Sequence, residues 1–359
     1  MLEPFYGGSH KLWADGLAKY SQHNIHISSL PDRHWKWRMH GSALTFAERH
    51  KHDINDYDLV LVTDLCDVAA LRGLLKIDVP VILYFHENQL AYPWSPTDKD
   101  VNLKRDRHYM WINFTSAIAA DYCWFNSAYN RDSLISGIHR FLKAFPDHRK
   151  FDVENIEGKS KVVPLGLELP LLNHKELDHS RSDVPVILWN HRWEYDKGPE
   201  LFFNTLYKLS EDDIHFELIV LGEKTKTYPT IFDQARVKLK DHIIHFGYAY
   251  GREKYNQLLL QATIYPVTSR QDFFGISVVE AISAGVTPLL PRGMVYEEYV
   301  DPNTDPNIFY NNEEELFQKL KRFCVLKPNL SFKESIGQFE LREMIKIYDE
   351  SFMNTLKSN

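Results

Sequence analysis

Short apolar runs of four to seven residues alternate with longer amphipathic stretches along almost the whole chain. In the first half the runs are Ile25–Leu30, Leu59–Thr63, Val79–Phe85, Tyr122–Asn126 and Val162–Leu165. Stretches of helical period, such as Lys11–Tyr20 and Arg107–Ala119, separate them. The run VPVILYF is almost continuously apolar, as a strand covered on both faces of a parallel sheet reads. The pattern pauses over 168–184, a polar stretch bracketed by Pro164, Pro170 and Pro185. It resumes with runs at Val186–Trp189, Phe216–Leu221, Ile243–Phe246, Thr263–Val267 and Thr287–Leu290. Helices are predicted at Pro199–Leu209, Ile231–Leu239, Glu253–Gln261 and Ile276–Ala284, and a last one over Glu334–Lys357. Strand alternating with helix predicts βαβ units and two α/β domains, each a doubly wound parallel sheet. The expected boundaries are a first domain over 1–168, a linker over 169–184, a second domain over 185–333, and a C-terminal segment over 334–359 that crosses back to the first domain.

Composition narrows the class. A chain of 359 residues suits two cores better than one. With 44% apolar, 25% charged and 13% aromatic residues it is globular, not disordered. No apolar run approaches the ~18 residues that span a bilayer. The N-terminal MLEPFYGGSHK lacks the basic and apolar regions of a secretory signal. Cys66, Cys123 and Cys324 lie far apart, which fits neither a disulfide framework nor a zinc site and predicts a cytoplasmic protein. A monomer without membrane association is expected. Residues 1–165 hold 20 Lys+Arg and 20 Asp+Glu, so the remaining 22 and 29 carry the whole net charge of -7. That excludes a strongly basic nucleic-acid binder overall and leaves the neutral first half as the better partner for an anionic macromolecule.

In open α/β sheets ligands sit beyond the carboxyl ends of the strands, and two such domains can face a shared cleft. The residues that follow the strands are therefore the candidates. Arg192 and Lys197 follow Val186–Trp189 on a strand-to-helix loop and suit a diphosphate, Arg as a fork and Lys as a point charge. Two solvated loop cations would read the same way. After Thr263–Val267, Gly275 and Ile276 open a helix whose free N–H groups can hold an anion, with Asp272 just before it and Glu280 within it. One carboxylate suits sugar hydroxyls and the other ribose hydroxyls; a buried Glu280 needs such partners, and a solvent-facing one would not.

In the first domain Met1–Glu3 reads as a very short strand before the Gly7-Gly8 loop. Its N–H groups are open to donor phosphates or to the acceptor. His86 ends a buried strand, either at a site or as a core histidine, and Glu87 and Asn88 after it could bind acceptor hydroxyls. Trp35, Lys36, Trp37 and Arg38 interleave aromatics and cations, as stacking on unpaired bases requires. A half-exposed strand with snorkelling cations accounts for the same pattern. Lys99, Lys104, Arg105 and Arg107 form a second basic cluster, and Arg140, Lys143, Arg149 and Lys150 a third. Asp56-Tyr57-Asp58 and Asp98-Lys99-Asp100 read as surface acids, not as a metal motif following a strand.

The acid-x7-acid spacing of Asp272 and Glu280 resembles the retaining glycosyltransferases of family four, which have the GT-B fold. Arg192 and Lys197 match that family's diphosphate pair, Leu221-Gly222 its glycine-rich strand end, and Phe246-Gly247 with Tyr248 its base-binding turn. The family usually has Glu at the first acid, where this chain has Asp272. The segments EPFYGGSHK, LPDRHWKWR, YFHENQ and WNHRWEYDK look like the tRNA-queuosine α-mannosyltransferase group, over both domains nearly end to end. The resemblance implies retaining transfer of mannose from GDP-mannose to queuosine at the wobble position of tRNA(Asp), with no metal or other cofactor. It also implies donor contacts from Gly7, Gly8, Arg192, Lys197, Gly222, Gly247, Tyr248, Asp272, Phe274, Gly275, Ile276 and Glu280, and catalytic roles for His86, Asp272, Arg192 and Lys197. Ser9, His10, Lys36, Trp37, Arg38, Glu87, Asn88, Lys104 and Arg105 would meet the acceptor. Two other readings are a family-four enzyme acting on a lipid or glycan, and a non-catalytic sugar-nucleotide or tRNA-binding module.

Overall fold

The computed structural model describes every residue except 96–97, 104, 106, 147–152, 170–183, 327–329 and 358–359. The central part of the linker expected over 169–184 therefore lies outside the described residues, as do Lys104, Arg149 and Lys150. The chain divides into two compact units, Met1–Leu167 with Phe339–Asn359, and Glu168–Gln338. Among the described residues each unit holds a six-stranded sheet in which all neighbouring strands pair in parallel.

The first unit comprises β1 (Leu2–Tyr6), β2 (Ser28–Pro31), β3 (Val60–Thr63), β4 (Val81–Phe85), β5 (Tyr122–Phe125) and β6 (Ser160–Val162), in the order β2-β1-β3-β4-β5-β6. All five residues of β4 are inaccessible to solvent, which is why that stretch shows no alternation in sequence. The second unit comprises β7 (Val186–Asn190), β8 (Glu217–Leu221), β9 (Ile243–Gly247), β10 (Ile264–Pro266), β11 (Thr287–Pro291) and β12 (Phe309–Tyr310), in the order β12-β11-β10-β7-β8-β9. The order reverses direction between β1 and β3 in one sheet and between β7 and β10 in the other. Such reversals open a crevice at the carboxyl ends of the two strands concerned.

Three local expectations need correction. The first strand extends to Tyr6 and is five residues long, because after an irregularity at Pro4 and Phe5 it pairs with β2 again through Tyr6 and Pro31. Trp35–Arg38 is the first turn of the helix Trp35–His50, not a strand, since Met39, Ala43, Phe46 and Ala47 continue its buried face at helical spacing. The segment predicted as one helix over Glu334–Lys357 is broken at Gly337 into Lys333–Ile336, a 3-10 turn and Leu341–Lys357.

Leu341–Lys357 packs within the first unit. Its Tyr348 hydroxyl donates to the Pro164 carbonyl and accepts from Trp13 Nε1 at 2.9 Å, and its Phe352 stacks on Trp124 at 5.2 Å. Tyr348→Phe would leave a buried carbonyl and a buried indole N–H without this partner. It should lower unfolding free energy by about 1–3 kcal/mol, read from urea denaturation.

Candidate active site

In the second unit the crevice lies where β7 and β10 end, and the sequence places its most polar loops there. Asn190 ends β7, and His191, Arg192 and Lys197 follow it; Ser269, Asp272 and Gly275 follow β10. The two loops are stitched together by His191. Its Nε2 lies 2.7 Å from Tyr265 Oη and 3.2 Å from Ser269 Oγ, and its Nδ1 lies 3.2 Å from Ser277 Oγ. Burial pushes the His191 pKa down to about 4, against the opposing pull of Asp272, with Lys197, Asp196 and Arg192 also within electrostatic reach. His191 is thus a neutral post at the centre of the charged residues.

Lys197 Nζ sits 2.9 Å from Asp272 Oδ1 and 3.0 Å from Asp196 Oδ2, with both ends of the Lys197–Asp272 pair only 12% exposed. Tyr296 Oη donates to the other Asp272 oxygen. Burial alone would raise the Asp272 pKa, but Lys197 foremost, with His191 and the Tyr296 hydroxyl, together outweigh it and hold the carboxyl below its ordinary range. The cation and carboxylate assigned in sequence to different parts of one ligand therefore meet directly. Arg192 is half exposed and lies 3.1 Å from Glu194.

The helix Ile276–Ser283 starts beside Asp272, with Gly275 as its N-cap at φ +69 and no acidic side chain in its first turn. A Cβ on Gly275 would come within 2.9 Å of the Tyr296 ring, so glycine is required by both torsion and space. Gly222 has a comparable duty at the end of β8. At φ +117, a Cβ there would lie 1.9 Å from the His191 carbonyl oxygen. The match to a glycine-rich strand end thus has a local cause, the close approach of two loops.

Glu280 is neither solvent-facing nor unpaired. Its carboxylate takes Arg252 Nη1 at 2.6 Å and Tyr255 Oη at 2.7 Å, and Tyr255 also meets Asn190 Nδ2 at 2.7 Å. Gly247 and Tyr248 end the edge strand β9, with Tyr248 exposed against Tyr250. One donor contact needs correction. The Phe274 ring is 3% exposed and packs on Tyr299, so only its main chain could meet a ligand. His191, Tyr265, Tyr296, Arg252 and Tyr255 were not singled out from sequence. A histidine two residues beyond a buried tryptophan at a strand end was the available signal for the first.

The first unit gathers a second polar cluster where β1, β3 and β4 end. Glu3, at 0% exposure, lies 3.4 Å from His10 Nδ1, and the His10 ring centroid is 4.1 Å from that of His86. Trp13 stands edge-on to His86 at 4.7 Å, and Asp64 accepts the His86 backbone N–H at 2.9 Å. Burial would push His10 down, but Glu3 foremost, then Asp64 and Glu87, raise its pKa to about 9. Burial raises Asp64 to about 8, and burial with the neighbouring His10 charge drives His86 well below its ordinary value. His10 is therefore the cation of the cluster and His86 its neutral partner. Among the described residues, Glu3, His10 and His86 each bring one ligand atom within 4.8 Å of the others.

The raised values have a consequence for stability. The folded protein holds protons on His10 between about 6.5 and 9, and on Asp64 between about 3.8 and 8, that the unfolded chain releases. From about pH 6.5 upward these two groups make stability fall as pH rises through about 9, whereas below it the depressed His86 and His191 act in the opposite direction. The melting temperature should decline from pH 6.5 to 9, and His10→Gln with Asp64→Asn should flatten that slope.

The remaining first-unit candidates separate. Ser9 and Gly8 are exposed at the start of the helix Gly8–Tyr20, beside His10. Asn88 is not available to an acceptor: it is fully buried and donates to Asn130 Oδ1 at 2.8 Å and Ser133 Oγ at 2.9 Å. Its side chain ties the segment after His86 to the helix Ala128–Leu142. Glu87 accepts from Gln89 Nε2 at 2.9 Å. Lys36 is held between Asp98, at 2.7 Å, and Asp100. Those two acids are therefore its partners, and not simply surface acids. Trp37, Arg38 and Arg105 are exposed or nearly so.

Residues 1–167 match the protein family described as tRNA-queuosine alpha-mannosyltransferase N-terminal, and residues 174–349 match glycosyl transferases group 1. The chain is 32% identical over 371 residues to the Drosophila melanogaster tRNA-queuosine alpha-mannosyltransferase, covering 98% of this chain and 95% of that one. Among solved structures it resembles the sucrose-phosphate synthase of Thermosynechococcus elongatus, with a TM-score of 0.69 at 14% identity over 100% of this chain and 99% of that one. It also resembles Anabaena HepE in complex with UDP, with a TM-score of 0.66 at 15% identity and the same coverage. These structural likenesses establish the GT-B fold.

Proposed function

Because the chain belongs to the tRNA-queuosine α-mannosyltransferase family, we propose that this glycosyltransferase moves mannose from GDP-mannose, with retention of configuration, onto queuosine at the wobble position of tRNA(Asp). The carrying observation is the meeting of Lys197 with Asp272 at the sheet reversal of the second unit, beside a helix start free of acidic side chains.

In this reading the donor lies in the second unit. Its diphosphate replaces the carboxylates on Lys197, takes Arg192 as a fork, and rests on the N–H groups at Gly275 and Ile276. These groups are in place before the reaction and match the charge that develops as the bond from mannose C1 to the phosphate oxygen breaks. Asp272, released from Lys197, orients mannose hydroxyls. Glu280 takes the ribose, and Gly247 with Tyr248 lies at the base. The acceptor hydroxyl attacks C1 from the face the diphosphate leaves, and its proton passes to the departing phosphate oxygen. No protein nucleophile is needed. Two cationic side chains and a helix start do what a divalent ion does elsewhere, so activity should survive chelation. Gly7, Gly8 and Ser9, with His10 and His86, carry the first unit's contribution to the acceptor.

Incubation with GDP-mannose and queuosine-containing tRNA, followed by nucleoside mass spectrometry, tests the proposal. It predicts one added hexose on queuosine. Donor hydrolysis without a modified nucleoside would point instead to a lipid or glycan acceptor, and no donor turnover to a binding module.

A further inference from the structure

The first unit contains a cavity of about 600 Å³ that the transfer chemistry does not use. It opens at the start of the helix Trp35–His50, and its rim is formed by His34, Trp37, His40, Arg105 and His108. Trp37 is 73% exposed, an unusual place for so large an apolar ring in the absence of a partner. The floor is a closed ion pair. Lys36 is matched by Asp98 and Asp100, Tyr109 Oη donates to Asp100 at 3.1 Å, and the Trp35, Trp94 and Tyr109 rings all lie within 5.8 Å of Lys36 Nζ.

Because one lysine faces two acids, the floor keeps one negative charge, which Arg105 at the rim offsets. Arg105 stands on one side. On the other is a helix start whose first turn carries Lys36 and Arg38, with Asp98 and Asp100 as the carboxylates beside it. His34, the N-cap, adopts φ 58, a left-handed conformation that side chains other than glycine seldom take and that is tolerated chiefly where function needs it. A flat exposed ring beside cations and imidazole N–H donors suits one stacked base and its phosphate. The volume is that of a small-ligand pocket and excludes a duplex.

We propose that this cavity is a nucleotide subsite of the first unit. It takes one unmodified, unstacked nucleotide of the acceptor RNA, with the base on Trp37 and the phosphate toward Arg105. The inference rests on the proposed RNA acceptor but names a different position from the modified base.

Equilibrium binding of a fluorescent anticodon stem-loop RNA with ordinary guanosine at the wobble position tests it without any transfer step. Trp37→Ala should weaken binding by roughly tenfold or more, the effect of losing one base–aromatic stack. Trp37→Phe should restore most of the affinity, and GDP affinity should be unchanged in both variants. Wild-type RNA affinity in Trp37→Ala would overturn the proposal, as would a Phe variant no better than Ala. A Trp37 effect confined to queuosine-containing RNA would also overturn it. If the wild-type enzyme transfers no hexose to tRNA while Trp37-dependent RNA binding persists, the functional reading falls and the subsite stands.

Discussion

Arg192→Ala is expected to reduce kcat for hexose transfer by about 10²–10³-fold while leaving the melting temperature unchanged. The magnitude is that of removing one preorganised donor from a developing anion. The spared stability follows from position, because Arg192 is half exposed and its contact with Glu194 at 3.1 Å is a surface pair. Lys197→Ala should differ in kind. Lys197 is the cation between Asp272 and Asp196, all three largely buried, so its removal leaves two carboxylates without their counter-charge. Losing one partner of a buried pair typically costs about 3–5 kcal/mol. The Lys197 variant should therefore lose both turnover and thermal stability. Lys197→Ala with Asp272→Asn should recover stability without recovering turnover. Steady-state kinetics beside differential scanning fluorimetry separates the two behaviours. Equal melting temperatures for Arg192→Ala and Lys197→Ala would mean that the buried pair does not support the fold.

Glu280→Gln is expected to raise the KM for GDP-mannose by about tenfold to a hundredfold, with a smaller change in kcat. A carboxylate bonded to ribose hydroxyls makes charge-assisted hydrogen bonds, each about 1.5–3 kcal/mol. Those bonds form in ground and transition states alike, so their loss falls on KM. Glu280 also receives Arg252 and Tyr255, which fix its rotamer. Tyr255→Phe should give a weaker effect in the same direction, because Arg252 still holds the carboxylate. A change confined to kcat in Glu280→Gln would place this residue at the reacting sugar instead.

What the sequence disclosed follows from what is local. The apolar run at Val81–Phe85 and the alternation of strand and helix identified two parallel sheets, because burial on both faces leaves a continuous signature. Strand-end residues such as Lys197, Asp272 and Gly275 were legible because the chain's few polar and glycine interruptions fall where strands stop. What was hidden depends on distant partners. Trp35–Arg38 alternates in polarity over too short a span to distinguish strand from helix, and only the buried face continuing to Ala47 settles it. Asn88 resembled an exposed acceptor contact because its partners, Asn130 and Ser133, lie more than forty residues away. The roles of Asp98 and Asp100 depend on Lys36, equally remote in sequence. His10 was assigned only a contact with the acceptor. Its charge is set by Glu3, Asp64 and Glu87, which only the fold brings near.

The affinity of GDP relative to guanosine, measured by titration calorimetry on wild type and on Arg192→Ala, tests the account most directly. The cationic loop and helix start should make the diphosphate worth at least about a hundredfold in binding to the wild type, unchanged by a chelator, and most of that advantage should vanish in the variant. A nucleoside that binds as tightly as its diphosphate, or a diphosphate advantage untouched by the substitution, would contradict it.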